Sequence, residues 1–315
     1  MNLGRVVILA GGLSAERDVS IRSGRRVADA LRRRDFDVEV LDIDDSLAER
    51  LTSAQPACVI PLVHGAVGED GTLHELLSGT GFPYVGSEPT ACRHSFDKPT
   101  ANVIVSDAGF YVPQFMELEK SRLRESGTKQ VLQSIVETIG LPLVVKPSQG
   151  GSSLGMGVVR AESALPAAMV SAFAYGPTVL VQACVEGTEV AVPVIDTGSG
   201  PHALPIVEIR ADSGVYDYHA RYTAGSTEFI TPARLAPELL AACADAAVGV
   251  HRALGLRDWS RSDLIVDDGG QVWFLEANVS PGMTETSTYP QAVHVAGLSM
   301  GQIVEDLIHV AIARG

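Results

Sequence analysis

The chain has 315 residues, more than one simple core accommodates, so two or three subdomains are expected. Hydrophobic residues make up 46% and charged residues 20%, an ordinary globular balance, and the net charge of −14 argues against non-specific binding to nucleic acid or to an acidic membrane surface. An anionic ligand would need a local exception, built from a few Lys and Arg side chains, helix N-termini or metal ions.

"RVVILAGG" reads as a first strand ending in a glycine turn, not as a secretory signal, because Glu16, Arg17 and Asp18 follow closely. A helical pattern over 20–34 places Val27, Ala30 and Leu31 on one side. "DVEVLDID" and "ACVIPLVHG" are further strands, and "TLHELLSGTG" is a short helix. This alternation predicts a parallel sheet with ligand loops at its strand C-termini, among them "GGLSAERDVS" and "HGAVGEDG". Residues 121–139 read as one polar helix, 156–159 as a strand and 162–174 as an alanine-rich helix. "TVLVQACVEGTEVAVPVID" and "ALPIVEIR" read as strands at hairpin-like spacing. Residues 211–227 are polar, Tyr-containing and without a clear period, so a long surface loop is expected, of the kind that is functional or mobile. A strong helix follows over 236–254, then a hairpin, "DLIVDDGGQVWFLEAN", and a last helix with Ser299 and Gln302 as a capping box. No apolar stretch approaches the roughly 18 residues needed to span a bilayer. The cysteines Cys58, Cys92, Cys184 and Cys243 are far apart and read as reduced thiols of a cytosolic protein.

"KPSQGGSSLGMG", from Lys146 to Gly157, follows a buried apolar run. It is neither a P-loop, whose lysine follows the glycines, nor a dinucleotide fingerprint; it reads as a tight hairpin turn or as a loop brought close to an anion. In the C-terminal hairpin, Arg261 and Asp263 alternate on one strand, and Phe274, Glu276 and Asn278 on the other. A turn centred on Asp268 and Gly269 predicts pairing of 263 with 274 and of 261 with 276, all on one face. Two carboxylates and an amide oxygen form a hard oxygen set suited to Mg²⁺; a solvated salt-bridge cluster is the alternative, weakened by the apolar residues at 264, 265, 273 and 275. The remaining histidines, at 74, 94, 202, 219, 251, 294 and 309, lack ligand spacing and read as surface or structural groups, and Trp259 and Trp273 as packing groups.

Together, "GGLSAERDVSIRSG", "HGAVGEDGTL", "KPSQGGSSLGMG", "YDYHARY" and "EANVSPGMTETS" closely resemble, in order, the motifs of the ATP-grasp ligases, and within them the D-alanine–D-alanine ligase family. The resemblance covers essentially the whole chain. It implies an N-terminal Rossmann-like parallel-sheet domain (1–96), then a two-subdomain ATP-grasp fold of mixed α/β and α+β character, with a central subdomain (97–180) and a C-terminal catalytic subdomain (181–315). It implies that Lys98 and Lys146 contact the nucleotide, with Gln182 and Val185 beside the adenine. Ser152 and Ser153 lie in the loop over the phosphates, Glu189 holds the ribose, and Arg221 serves the nucleotide from the lid. Asp263, Glu276 and Asn278 match the ligands of two Mg²⁺ ions, with Mn²⁺ as a substitute.

In the resemblance, Glu16 receives the amino group of the first D-alanine, with His64 nearby. Arg261 and the Gly282 N–H donate to the developing oxyanion, Ser287 contacts the second carboxylate, and Thr288 borders that pocket. Tyr222, on the lid, bonds toward Ser152 and Glu16. Four positions depart from the commonest pattern: Arg221 for Lys, Gln182 for Glu, Gly150 for an acid, and Thr288 for a larger apolar residue. The expected partners are ATP and D-alanine, with no nucleic acid or membrane, in a cytoplasmic homodimer that makes D-alanyl-D-alanine for peptidoglycan. A ligase with another D-amino acid acceptor and a catalytically silent nucleotide-binding regulator are the alternatives. The full set Arg261, Asp263, Glu276 and Asn278 argues against the regulator.

Overall fold

The first strand, β1 (Val6–Leu9), is wholly apolar because both faces of its sheet are covered. The structure, a computed structural model, describes residues 4–125, 127–223 and 225–315; the side chains of residues 123–125 and of Tyr222 lie outside the described set. The chain continues through α1 (Arg17–Arg32), β2 (Val38–Leu41), α2 (Leu47–Ala54), β3 (Cys58–Pro61), α3 (Ala66–Glu69), α4 (Thr72–Thr80), α5 (Pro89–Phe96) and α6 (Lys98–Asp107). The three strands form a parallel sheet in the order β2–β1–β3, as the alternating pattern predicts.

A second, antiparallel sheet has the order β4–β7–β5–β6. It comprises β4 (Phe115–Glu119), α7 (Lys120–Glu125), α8 (Thr128–Ile139), β5 (Leu143–Pro147), β6 (Gly157–Val159), α9 (Leu165–Ala172) and β7 (Thr178–Ala183). The single helix expected over 121–139 is two, because Gly127, at φ +80°, takes a conformation no α-helix can include. Residues 162–164 form a 3₁₀ turn before α9, whose start carries Pro166.

The third sheet holds β8 (Thr188–Ile195), β9 (His202–Ala203), β10 (Val207–Ala211), β11 (Thr227–Ile230), β12 (Trp259–Val266) and β13 (Val272–Asn278), in the order β11–β10–β8–β12–β13 with β9 on β8. Between its strands run α10 (Tyr218–Tyr222) and α11 (Pro237–Ala253), and α12 (Thr288–Val295) and α13 (Met300–Arg314) close the chain. Strands β8 and β10 pair antiparallel, in keeping with the spacing of "TVLVQACVEGTEVAVPVID" and "ALPIVEIR", while β7, from the first part of that stretch, lies between β4 and β5 in the middle sheet. The stretch 211–227 is not wholly irregular, since Asp217 caps α10 by accepting from the Ala220 N–H at 2.9 Å. Ser299 caps α13, but the Gln302 amide reaches Asp306 rather than closing the box.

One apolar cluster joins the parallel sheet to the third sheet: Val6, Ile8 and Leu31 share it with Ile195, Trp259, Tyr289 and Leu307. Trp259 and Tyr289 meet edge to face at its centre, 6.4 Å between ring centroids. A second cluster sets α6 and α11 against the opposite face of the third sheet, and a third fills the space between the middle sheet and helices α8 and α9. The four cysteines are free thiols. Among the described residues no single helix is long and apolar enough to cross a membrane.

Candidate active site

Two cavities meet over the edge of β13. The first lies between β5, β6 and β7 of the middle sheet and β8, β12 and β13 of the third. Its walls are apolar (Val144, Met156, Val158, Ile265, Leu275), and Lys98, Lys146, Ser153, Gln182, Val185, Glu189 and Arg221 line it. The second, of about 590 Å³, opens toward the parallel sheet and is lined by Glu16, His64, Ser152, Arg261, Asn278, Gly282, Ser287 and Thr288. Lys98, Arg221, Asp263 and Glu276 belong to both. Every site residue expected from the sequence therefore reaches one cavity or the other, except Tyr222. Its backbone ends α10 and its side chain lies outside the described residues.

The hairpin register differs from the one expected. A bulge between Asp263 and Leu264 gives β13 an extra residue, Leu275, so Asp263 faces Glu276 and Arg261 faces Asn278. Without the bulge Glu276 would sit one pair away from Asp263; with it, the two carboxylates are direct cross-strand neighbours. Arg261 holds Asp263 through two bonds, 2.7 and 2.9 Å, in a fork that satisfies both carboxylate oxygens. Burial works against the Arg261 charge, but Asp263 and Glu276 raise its pKa further. Asn278 Oδ1 accepts from the Ser280 N–H at 2.8 Å.

Glu276 gathers cations without being hydrogen-bonded to them. Lys98 Nζ is 3.8 Å from one of its oxygens and Arg221 Nη2 4.0 Å from the other. Burial would raise its pKa, but Lys98, Lys146, Arg221 and Arg261 overcome that and hold the carboxyl at about 2. Two carboxylates and an amide oxygen on adjacent strands are the donor types that a hard divalent cation takes, and Glu276 has no hydrogen-bond donor among the described residues. Burial also pulls Lys146 down to about 8, against Glu276, and pushes Glu189 up to about 8. Gln182 is buried and its Oε1 has no hydrogen-bond partner, so the apolar cavity carries one unused acceptor.

The glycine-rich stretch joins the antiparallel pair β5 and β6 as a long connection rather than a tight turn, and its residues line both cavities. Ser152 and Ser153 sit at φ +55° and +56°, a conformation rare for residues with a Cβ. In it the Ser152 hydroxyl donates to the Glu16 carboxylate. A Cβ on Gly151 would stand 3.2 Å from that carboxylate, so glycine lets loop and acid approach. Lys98 Nζ bonds the Gly150 carbonyl at 2.6 Å.

Beside Glu16, His64 is buried against Ser23 (Nε2 to Oγ 3.2 Å), and burial lowers its pKa to about 4, so the ring is neutral. Glu69 is the residue the sequence reading missed here. It accepts from the Gly65 N–H at 3.1 Å, and burial with the Glu16 charge pushes it up to about 8. The signal was present, since "HGAVGEDG" stood out as a loop, but nothing in the pattern separated Glu69 from Asp70. Across the cavity the Ser287 hydroxyl lies 2.8 Å from Thr284 Oγ1 and accepts from the Thr284 N–H at 3.1 Å. A Cβ on Gly282 would fall 2.8 Å from Ser287 Oγ, which keeps that position bare.

The comparisons with known proteins place the chain in a family. The sequence pattern described as "D-ala D-ala ligase C-terminus" matches residues 104–309. A D-alanine–D-alanine ligase of Desulforudis audaxviator (strain MP104C) is 38% identical over 311 residues, covering 98% of this chain and 99% of that protein. The chain belongs to the D-alanine–D-alanine ligase family, within the ATP-grasp class. Two solved structures share the family architecture. The VanG D-Ala:D-Ser ligase from Enterococcus faecalis superposes with a TM-score of 0.85 at 27% identity, covering 98% of this chain and 99% of that one. The D-alanine–D-alanine ligase from Bacillus anthracis complexed with ATP superposes with a TM-score of 0.81 at 25% identity, covering 99% and 98%. The family ligase fold thus spans all three sheets and both cavities.

Proposed function

We propose that this family member joins two D-alanines at the expense of ATP, giving D-alanyl-D-alanine, ADP and phosphate. The observation that carries the reading is the gathering of Lys98, Lys146 and Arg221 around Glu276, a residue that lines both cavities. A carboxylate is a poor electrophile, so its oxygen must first take the terminal phosphoryl group of ATP. That transfer needs alignment and charge neutralisation more than covalent help. In the reading, the adenine lies against Val144, Met156 and Val185, its amine donating to Gln182 Oε1, and Glu189 takes the ribose hydroxyls. Lys98, Lys146 and Ser153 meet the phosphates. Asp263, Glu276 and Asn278 would hold two Mg²⁺ ions, or Mn²⁺, which supply charge neutralisation between the phosphoryl oxygens when bound.

The second cavity takes the amino acids. Glu16, fixed by Ser152, receives the first ammonium beside neutral His64, and Tyr222 would complete that group from the lid. The second carboxylate meets Ser287. Its amine attacks the acyl carbon, and phosphate leaves. Arg261 and the Gly282 N–H face the oxyanion; losing one such donor typically costs about 3–4 kcal/mol. Water must be excluded meanwhile, and Tyr216, Ala220, Arg221 and Thr223 line the cavities from the stretch 211–227. The division 1–96, 97–180 and 181–315, a cytoplasmic homodimer and a place in peptidoglycan precursor synthesis complete the proposal.

A second reading keeps the chemistry and changes the acceptor. Thr288 puts a hydroxyl at the acceptor end of the cavity, and a D-Ala:D-Ser ligase is among the similar structures, so D-serine is the alternative. Release of ADP that requires both Mg²⁺ and D-alanine tests the main reading; ADP release indifferent to D-amino acids would contradict it.

A further inference from the structure

Arg221 is the only member of the cation cluster that stands on the short helix α10, and five residues of helix cannot by themselves fix a long side chain. Its guanidinium is held from three sides. Nε donates to Ser153 Oγ at 3.0 Å, Nη2 faces Glu276, and Cζ lies 4.2 Å above the centroid of the Tyr216 ring. The Tyr216 ring stands edge-on to Phe229, 6.0 Å between centroids and 86° between planes. Phe229 belongs to β11, paired with Ile209 of β10 in the third sheet. The Ser153 hydroxyl that receives Arg221 also donates to the Tyr216 carbonyl at 3.1 Å.

We propose that Tyr216 is a positioning residue for Arg221: its ring, braced by Phe229, carries the guanidinium over the nucleotide-side cavity and sets its distance from Glu276. The inference rests on the ligase reading of the same site. A ring face attracts a cation and matches a flat guanidinium better than a tetrahedral ammonium. The residue type at 221 and the aromatic at 216 therefore act as one unit, and the support runs from the rigid sheet through two aromatic rings to a charge on the lid.

The test is a double-substitution cycle with two readouts, ADP release and ATP affinity by calorimetry, on full-length protein whose folding is checked by circular dichroism. Tyr216→Leu is expected to lower kcat and weaken ATP binding by roughly 3- to 30-fold, the range a partly desolvated cation–ring contact commands, with the KM for D-alanine moved less than threefold. Tyr216→Phe keeps the ring and should restore most of the loss. In an Arg221→Gln background, Tyr216→Leu should change either readout by less than twofold. A loss that persists undiminished in that background would make Tyr216 a space-filling residue only and overturn the proposal, as would a Tyr216→Leu protein equal to the parent. Absence of D-alanine-dependent ADP release in the parent would refute the ligase reading instead, and the ATP-affinity cycle would still decide the positioning role.

Discussion

Glu276 is the residue on which the site's electrostatics turn. Its neighbours Lys98, Lys146, Arg221 and Arg261 together hold it ionised against its burial, and an ionised carboxylate without a hydrogen-bond donor among the described residues is costly unless a cation completes it. Glu276→Gln keeps the shape and removes the charge, so the protein should fold as the parent by circular dichroism and lose more than about 100-fold in turnover. Turnover within tenfold of the parent would remove Glu276 from the metal assignment. Lys146 gives a second expectation. With its pKa at about 8 in the free protein, it is charged below that pH and neutral above it. ATP affinity measured without metal should therefore weaken as pH rises from 7 to 9, and Lys146→Met should flatten that dependence. The same dependence in parent and variant would place the titrating group elsewhere.

At the scale of elements, the Ser153 hydroxyl, the Tyr216 carbonyl and Arg221 tie the glycine loop to the stretch after β10. Little apolar burial backs those bonds along 212–219, where Asp212, Ser213 and Gly214 are exposed. Limited proteolysis should cut within 211–227 in the free protein and be slowed by ATP, Mg²⁺ and a phosphinate mimic of the acyl phosphate; equal cutting under both conditions would speak against a lid.

The same elements mark how far the sequence carries. Alternating apolar strands and glycine corners made the parallel sheet legible, since those patterns are local. The β7–β8 separation was not, because strand pairing is decided by which edges are free. Nor was the bulge at Asp263, which depends on both strands of the hairpin and shifts the partners of Arg261 and Asp263. The site residues could be named because five motifs follow the order of the family that the chain resembles, with the hairpin set Arg261, Asp263, Glu276 and Asn278 also visible from its alternation. Tyr216 was overlooked because its contact to Arg221 needs α10, a helix too short and polar to show a period.

At the scale of the molecule, the N-terminal sheet and the third sheet share a core, and an ion pair with a buried acid ties the last helix beside them. Asp258, held at φ +66°, accepts from the Gly86 N–H at 2.6 Å and from Arg314 at 2.7 and 3.0 Å, so the last helix is pinned to the loop between α4 and α5. Asp258→Ala would leave the buried Gly86 amide without its acceptor while the exposed Arg314 turns to solvent, and should cost about 1–3 kcal/mol, read as a drop in Tm. An unchanged Tm would mean that solvent satisfies both groups.

Acid should also loosen the whole. His74 and His251 are pushed by burial to about 4, so between pH 6.5 and 4 the unfolded chain takes up protons that the folded one refuses, and stability falls with pH across that window. Glu69 and Glu189, pushed up to about 8, have the opposite sign between about 4.5 and 8, so the comparison must be with a variant. Tm of the His74→Gln, His251→Gln double variant should decline less than the parent's from pH 6.5 to 4; parallel declines would contradict the assignment.

The central claim is that the polar cavity receives two D-amino acids and that the shared cation cluster activates the first with ATP. Mass analysis of products from ATP, Mg²⁺ and an equimolar mixture of D-alanine, D-serine and D-lactate tests it most directly. D-alanyl-D-alanine as the main product near neutral pH, formed one-for-one with ADP, is the predicted result. D-alanyl-D-serine or the D-lactate ester in excess would overturn the acceptor assignment, and ADP formed with no condensed product would contradict the ligase reading itself.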